Sequence, residues 1–380
     1  PRDPSPPKPP VRRIVEVGKA VLRPLSLRRH EAEGAAKKRR RVDDYPHLSK
    51  AHRELAKKLS SPLMMGPPVC DELMDFVTHV FTEEEAWVAR KLSLLPEQNA
   101  ASVARKLRSP VEHIAPILKH LGEVKHVIYA DGPKDDRLYR LVPVMPGIFE
   151  MSLISKSPET LTPWHKELIR RFEALYQTHY AQAYLAYRTE LVRFIPATKA
   201  VAANPAALPS DRLEAILDRY DHFAVGHCQC RMTMREMGEG CDRPLENCSS
   251  MGEWADSSVE KGLMRPVSKN DFREIKLEAE ASGLATWILN AESVEGQASC
   301  SCCGCCCHFM QSISAANTPA AAAPPHFTPR IDTQKCVGCG ACVDACPMEA
   351  LSVDSLTGEV KPLLHRCVGC GVCAVACRVS

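Results

Sequence analysis

Residues 336 to 347 read Cys336-Val-Gly-Cys339-Gly-Ala-Cys342-Val-Asp-Ala-Cys346-Pro347, and residues 367 to 377 repeat the spacing as Cys367-Val-Gly-Cys370-Gly-Val-Cys373-Ala-Val-Ala-Cys377. In each copy three closely spaced thiolates can wrap one face of a [4Fe-4S] cubane, whereas the fourth lies too far along to reach that cluster. We therefore expect a crossed assignment, with two clusters close together. One cluster is bound by Cys336, Cys339, Cys342 and Cys377, and the other by Cys367, Cys370, Cys373 and Cys346.

Glycines separate the expected ligands in both copies. They are Gly338, Gly340, Gly369 and Gly371. We expect sharp turns there, which bring backbone N–H groups towards the cluster sulfurs without a side chain in the way. Zinc and disulfide bonds are the alternatives for these eight thiols. Zinc sites use two pairs of ligands around a tetrahedral ion, and the spacing of three thiols plus one does not suit them.

The motifs closely resemble the bacterial eight-iron ferredoxin domain, and the resemblance covers residues 326–380. It implies a domain that binds two [4Fe-4S] clusters and transfers single electrons. One position departs from the family pattern, because Arg378 rather than proline follows Cys377.

Length and composition bound the rest of the chain. With 380 residues and an apolar fraction of 45%, two or three domains with sizeable cores are expected. The 19 cysteines cluster in ligand-like groups and follow no secretory signal, which predicts a reducing cytoplasm in an organism with little oxygen. No apolar run has the length of a membrane span.

Charge is distributed unevenly along the chain. Residues 1–60 hold 17 Lys or Arg and 7 Asp or Glu, so that a basic arm precedes an acidic body. The basic run from Lys37 to Arg41 is typical of a solvated, disordered segment. Binding to an acidic partner protein, or to nucleic acid or anionic lipid, is the alternative.

Residues 70–145 carry the signals of three helices followed by two strands. Thr82 with Glu85 predicts a capped helix through Leu95, and Asn99 caps a second helix through Leu107. Ser109 is expected to cap a third helix that ends near Gly122. Strands are expected over residues 124–130 and 137–142.

This order of elements resembles a winged helix. Pro116 should kink the helix that would read DNA, and that helix presents only His113, Lys119 and His120 for base contacts. We therefore favour a docking or structural role for this domain over DNA binding. Beyond it, Thr162-Pro163 is expected to begin a long helix that reaches Phe194, with its aromatic residues packed in the core.

Ten further cysteines lie between residues 228 and 307, too tightly grouped for inert packing. They are Cys228, Cys230, Cys241, Cys248, Cys300, Cys302, Cys303, Cys305, Cys306 and Cys307. Thiolates in such groups bind iron–sulfur clusters or zinc. We expect at least one further iron–sulfur cluster here, with zinc or reactive metal-free thiols as the alternatives.

The simplest single site in this region uses the well separated Cys228, Cys230, Cys241 and Cys248. The later cysteines can face one metal only if the backbone turns at Gly304. They would then form a second cluster or donate to the first. The triplet Cys302-Cys303-Gly304 is similar to the cysteine-rich element of heterodisulfide reductases, which binds a noncubane cluster. Arg231, His227 and His308 either neutralise cluster charge or serve as ordinary surface residues.

The sequence as a whole predicts an α+β multidomain protein, and its layout resembles uncharacterised ferredoxin-like proteins of anaerobic bacteria. The expected parts are a basic extended arm (1–60), a winged-helix-like domain (70–145), a helical region (150–222), a cysteine-rich cluster-binding region (223–312) and a 2[4Fe-4S] ferredoxin domain (326–380).

Three functions are consistent with this layout. An electron-relay subunit of a larger cytoplasmic oxidoreductase comes first, because we find no Gly-rich dinucleotide loop and no acid–base pair in the sequence. Its partners would be oxidoreductase subunits or other redox proteins. A redox-responsive DNA-binding regulator is the second. The third is a catalytic iron–sulfur subunit that acts on a disulfide or a quinone.

Overall fold

A computed structural model of the chain describes residues 40–133, 136–178, 180, 190–290, 297–314 and 321–379. Most of the predicted basic arm, including Lys37 to Arg39, lies outside the described residues. Lys50–Leu59 is a helix whose Leu55 and Leu59 are buried, so the predicted extended arm is wrong for these residues. Ser49 begins the helix by accepting a hydrogen bond from the backbone N–H of His52.

The front half of the molecule is helical with a small three-stranded sheet. The helices are α1 (Lys50–Leu59), α2 (Asp71–Val80), α3 (Glu83–Ala89), α4 (Ala100–Leu107) and α5 (Val111–Lys119). The strands are β1 (Gln98–Asn99), β2 (Tyr129–Asp131) and β3 (Leu138–Arg140), paired antiparallel in the order β1-β3-β2. The three helices and two strands predicted for residues 70–145 are present, but α3 ends at Ala89 instead of Leu95 and the first strand begins at Tyr129 instead of residue 124, where a π-helix ends. The winged-helix assignment itself stays a prediction.

Helix capping in this half follows the sequence at two of three positions. Thr82 and Glu85 form the predicted reciprocal cap of α3, and the Asn99 side chain caps α4. The predicted Ser109 cap of α5 is wrong. Pro110 is the capping residue without a side-chain bond, and the Ser109 hydroxyl lies 3.3 Å from Nδ1 of His113 instead.

The predicted helical region is shorter and more mixed than expected. Two helices, α6 (Phe149–Leu153) and α7 (Pro163–Tyr176), pack beneath the front half. The long helix predicted to Phe194 is wrong, because α7 ends at Tyr176 and Val192–Ile195 forms strand β4, which is buried along its length. The predicted core role of the aromatic residues is confirmed at Phe172 and Tyr176, whereas Tyr184 and Tyr187 lie outside the described residues.

A six-stranded antiparallel sheet, not predicted from the sequence, organises the cysteine-rich region. It continues from β4 with β5 (Phe223–His227), β6 (Glu246–Met251), β7 (Arg265–Val267), β8 (Ala285–Leu289) and β9 (Ala298–Cys302), in the order β4-β8-β9-β6-β5-β7. Helices α8 (Thr198–Val201), α9 (Leu213–Leu217), α10 (Gln229–Glu236), α11 (Glu253–Glu260), α12 (Lys269–Ala281) and α13 (His308–Ser314) surround it. All six strands are short, and β6 and β9 are rich in Ser and Cys, so these two lack the alternation of apolar and polar residues that marks a strand.

The carboxyl-terminal segment adds two short helices and a hairpin. They are α14 (Ala341–Asp344), α15 (Val372–Ala376), β10 (Leu351–Val353) and β11 (Val360–Pro362). The hairpin pairs antiparallel with Ser352 opposite Lys361. This segment is attached to the central region by a backbone hydrogen bond of 2.8 Å from Ala197 N–H to the Cys370 carbonyl.

The small front sheet packs against α11 of the central region through charged contacts. Lys261 lies 2.9 Å from Asp131, and Arg137 lies 3.2 Å from Glu260. These two ion pairs bind the β2–β3 ribbon to the central region of the same chain. Within the described ranges, no helix has the length and apolar composition of a membrane span.

Candidate metal centres

All eight carboxyl-terminal cysteines line one cavity of about 450 Å³. In each copy of the repeated motif two cysteines precede the short helix, one lies within it and one follows it, so that Cys342 is in α14 and Cys373 is in α15. The cavity has thiols on its walls and a mostly apolar remainder that includes Ala341, Val368 and Ala374, with Arg330, Asp332 and Lys335 also in the lining. A cavity lined by eight thiols fits two iron–sulfur cubanes, because each takes four thiolate ligands.

The predicted sharp turns between these cysteines are confirmed. Gly338, Gly340, Gly369 and Gly371 all have left-handed φ between 67° and 73°. At two of them the space is also closed, because a Cβ at Gly369 would lie 2.6 Å from Pro325 and one at Gly371 would lie 2.7 Å from Ala200. Glycine therefore lets the cluster loops lie directly on the neighbouring chain.

The thiols around the cavity fall into two neighbouring groups. The charges that act on Cys342 come from Cys377, Cys336 and Cys339. Those that act on Cys370 come from Cys373, Cys346 and Cys367. Burial raises the pKa of the Cys373 thiol to about 12, so a metal must displace its proton to bind. This grouping is the one that the crossed assignment requires, and the assignment of ligands to clusters stays a prediction.

Six of the ten middle cysteines form a second centre within the large sheet, which we call the six-thiol group. Its members are Cys228, Cys230, Cys248, Cys300, Cys302 and Cys307. Cys248 on β6 and Cys300 on β9 are cross-strand neighbours whose sulfurs lie 3.2 Å apart. The Cys302 thiol is within hydrogen-bonding range of Cys300 and of Cys307, and Cys307 is within range of Cys230. Burial raises the pKa of Cys228 to about 12.

A buried lysine faces the six-thiol group from α12. Lys276 is 1% exposed, and its Nζ lies 3.0 Å from Ser299 Oγ. Burial lowers the pKa of Lys276, whereas the charges of Cys300 and Cys248 act in the opposite direction. The Glu280 carboxylate also raises the pKa of Lys276, but its effect is smaller than that of the thiols. A buried ammonium needs a negative partner, and metal-bound thiolates supply one.

Arg231 is a second buried cation, and it reaches the thiols from α10. Its side chain is wholly buried, and Nη2 lies 3.5 Å from the Cys303 sulfur. It also donates to the carbonyls of Pro244 and Ser301, whereas its Nε has no hydrogen-bond partner among the described residues. Although burial opposes its charge, the thiols of Cys228 and Cys303 raise the pKa of Arg231. Of the two alternatives for Arg231, the surface role is therefore wrong, and neutralisation of cluster charge stays a prediction.

The same correction applies to His308, which is wholly buried beneath α7. Its Nε2 lies 2.9 Å from a Glu173 carboxylate oxygen, and its backbone carbonyl accepts from the Tyr176 hydroxyl. His308 therefore anchors the end of the cysteine run to the core instead of facing solvent.

The remaining four middle cysteines form a third centre, the four-thiol group. Its members are Cys241, Cys303, Cys305 and Cys306, and their sulfurs all lie within 4.8 Å of one another. The hydrogen bond to Cys241 lowers the pKa of Cys303 to about 6. The backbone turns at Gly304, which was the condition for the later cysteines to face one metal, but only Cys303, Cys305 and Cys306 of them join this group. The group fits a metal site.

The single site expected from Cys228, Cys230, Cys241 and Cys248 is not the arrangement that the fold produces. Cys241 lies with the four-thiol group, whereas the other three lie with the six-thiol group. The separation arises because Cys241 follows α10 in a loop outside the sheet, whereas Cys248 is part of β6. Each centre therefore combines early and late cysteines of the region.

Other groups near the thiols were not predicted. The Trp287 indole N–H donates to Cys302 at 3.3 Å, and the Gln229 amide lies 3.7 Å from the Cys248 sulfur. Of these residues, only Gln229 lies next to cysteines in the sequence, between Cys228 and Cys230. Trp287 and Lys276 gave no signal, because the pairing of β8 with β9 and the packing of α12 bring them close from elsewhere in the chain.

The middle thiols contact the carboxyl-terminal cavity directly. Cys302 and Cys307 lie in one apolar cluster with Met348 and Val368, against which Cys346 and Cys367 also pack. A Cβ placed on Gly304 would lie 1.9 Å from the Pro347 carbonyl oxygen, so the Gly304 loop presses on the residue beside Cys346. One continuous packed region therefore joins the two sets of thiols.

Comparison with known families agrees with the carboxyl-terminal geometry. The 4Fe-4S dicluster domain family matches residues 335–380. This match supports a ferredoxin-type domain with iron–sulfur clusters and an electron-transfer role. Comparisons with curated proteins and with solved structures gave no match.

Proposed function

We propose that the chain is an electron-transfer subunit of a larger oxidoreductase. In this proposal the dicluster domain exchanges single electrons with a further iron–sulfur cluster bound by the six-thiol group. The carrying observation is the shared apolar cluster that packs Cys302 and Cys307 of the centre against Cys346 and Cys367 of the domain. Electron transfer requires clusters that are placed close together and have matched potentials, and this packing supports the first requirement.

Exposure supports an order for the relay. Cys339 is exposed, Cys370 is half-buried, and Cys302 and Cys307 are buried. Electrons from a protein donor would thus enter at the cluster of Cys339, pass to the cluster of Cys370, and continue to the six-thiol centre. Lys276 and Arg231 neutralise part of the negative charge of that innermost cluster, which would raise its potential and draw the electron inward.

The contacts of the front domain favour docking over DNA binding. His113 lies 2.7 Å from Glu84 and His120 lies 3.7 Å from Glu85, so carboxylates flank two of the three side chains available for base contacts. The β2–β3 ribbon is bound to the α11 segment by the ion pairs of Lys261 with Asp131 and of Arg137 with Glu260. A face of this kind suits a structural or protein-docking role.

Anaerobic reduction of the full-length protein by a bulky redox protein tests the relay. Two double variants are compared with the unchanged chain: Cys339→Ser with Cys370→Ser, and Cys228→Ser with Cys302→Ser. Iron and sulfide analysis should show a loss of about eight irons in the first variant and about four in the second. EPR should show that the middle cluster is reduced rapidly only when the carboxyl-terminal clusters are present. Equal reduction rates without those clusters would refute the relay.

A further inference from the structure

All four sulfurs of the four-thiol group lie within 4.8 Å of one another, which is too close for a cubane that uses all of them as ligands. In the six-thiol group Cys248 and Cys300 lie 3.2 Å apart, but no three of its sulfurs meet this limit together. In the four-thiol group the sulfur–sulfur distances are 3.7 Å for Cys241–Cys303, 3.8 Å for Cys241–Cys306 and 3.6 Å for Cys305–Cys306. A tetrahedral ion with metal–sulfur bonds of about 2.3 Å places its ligand sulfurs about 3.8 Å apart. A cubane holds each thiolate on a different iron, so its thiolate sulfurs lie farther from one another.

The carboxyl-terminal domain provides an internal comparison. Its eight thiols stand around a cavity of about 450 Å³. In the part of the chain that the structure describes, the four-thiol group is the one set of three or more potential ligands whose atoms all fall within 4.8 Å. The same fold therefore contains an open arrangement suited to clusters and a closed arrangement suited to one ion.

The charge around the four-thiol group fits a divalent ion. Arg231 Nη2 lies 3.5 Å from Cys303, and Arg243 Nη1 lies 3.8 Å from Cys305. Four thiolates and a divalent cation leave two negative charges, which Arg243 and Arg231 offset in part, since Arg231 is shared with Cys228 of the six-thiol group. Since the protein supplies all four ligands, no position stays open for a substrate, as in structural zinc sites.

We propose that the four-thiol group binds a single zinc ion, distinct from the iron–sulfur clusters. The ion would join the loop that carries Cys241, between α10 and β6, to the turn at Gly304 that follows β9. Because that turn presses on Pro347, the zinc ion would hold the packed region between the middle thiols and the dicluster domain in place.

Metal analysis of the anaerobically prepared full-length protein tests this inference. The variants are Cys305→Ala, at an exposed position that folding should tolerate, and Cys241→Ser. The unchanged chain should contain one zinc per chain, and both variants should lose it while they retain their iron and sulfide. Zinc X-ray absorption of the unchanged chain should show four sulfur neighbours at about 2.3 Å.

The control is Cys302→Ser in the six-thiol group, which should keep its zinc. Loss of zinc in this control would mean that zinc had replaced iron in a cluster site, and would overturn the proposal. Loss of iron and sulfide from the Cys305→Ala variant would also overturn it, because the group would then hold a cluster. The relay is tested by electron transfer and by iron content, so either proposal can fail while the other stands.

Discussion

The carboxyl-terminal thiols and the middle thiols use the same ligand atom in opposite settings. The eight carboxyl-terminal cysteines come from two short motifs, each a turn followed by a short helix, and they line a cavity at which Cys339 is exposed and the others are half-buried. The ten middle cysteines come from strands, helices and loops up to about eighty residues apart, and they pack with buried cations. The first arrangement is built by local backbone turns, whereas the second is built by a sheet and by charge balance.

The largest expected effect of this difference lies at Arg231. Replacement by Met in the full-length holoprotein should destabilise the middle region by about 3–5 kcal/mol, because it removes a buried charge that faces thiolates and two carbonyls. Denaturant unfolding followed by cluster absorbance measures this loss. Arg378→Met is the matched control at an exposed carboxyl-terminal position and should change stability by less than about 0.5 kcal/mol. If both variants change the free energy of unfolding by a similarly small amount, the buried charge of Arg231 does not stabilise the middle region.

The next effect lies where the two regions meet. Gly304→Ala places a methyl group against the Pro347 carbonyl and should cost about 1–3 kcal/mol, since one of the two loops must move. It should also slow electron transfer between the carboxyl-terminal and middle clusters, measured by flash reduction and EPR.

Gly358→Ala is the control for this prediction. Gly358 has a φ of 69° and open space around it, so alanine adds backbone strain of about 1–2 kcal/mol without touching the contact. Stability should fall in both variants, but the rate between clusters should fall only in Gly304→Ala. An unchanged rate in Gly304→Ala would show that electron transfer between the clusters does not depend on the contact between Gly304 and Pro347.

The same contrast explains what the sequence could predict. The carboxyl-terminal turns at Gly369 and Gly371 follow from residues within a few positions of each ligand, so the spacing alone predicted them. The middle grouping depends on the pairing of Cys248 with Cys300 across two strands and on the departure of Cys241 from the sheet. The pairing of strands that are distant in sequence is determined by their packing in the folded protein, so it could not be predicted from residues near each cysteine.

The buried lysine gives a smaller, purely electrostatic effect. Lys276→Met should lower the reduction potential of the middle cluster by on the order of tens of millivolts, because a positive charge beside Cys300 and Cys248 is lost. Redox titration followed by EPR measures this potential. Lys335→Met removes an exposed charge near Cys336, where water and salt screen it, and should leave the carboxyl-terminal potentials nearly unchanged. Equal shifts in both variants would mean that burial does not distinguish the two regions.

The smallest expected effect concerns Glu280, which joins α12 to α8 beside the carboxyl-terminal domain. Its carboxylate accepts hydrogen bonds from Thr198 N–H at 2.8 Å and from Thr198 Oγ1 at 3.2 Å. On either side of Thr198, Ala197 donates its N–H to the Cys370 carbonyl and Ala200 lies against Gly371. Burial raises the pKa of Glu280, and the hydrogen bonds from Thr198 only partly offset this.

The folded protein therefore holds the Glu280 proton more tightly than the unfolded chain does. The resulting stability is fully present below the ordinary carboxyl pKa and is lost as pH rises through the raised pKa. Thermal midpoints measured across this range should decline with pH in the unchanged chain and less so in Glu280→Gln, whereas the exposed Glu278→Gln should keep the full decline. If Glu280→Gln keeps that decline as well, the contact between α12 and α8 does not carry the pH response, and the two thiol regions are joined mainly through Gly304.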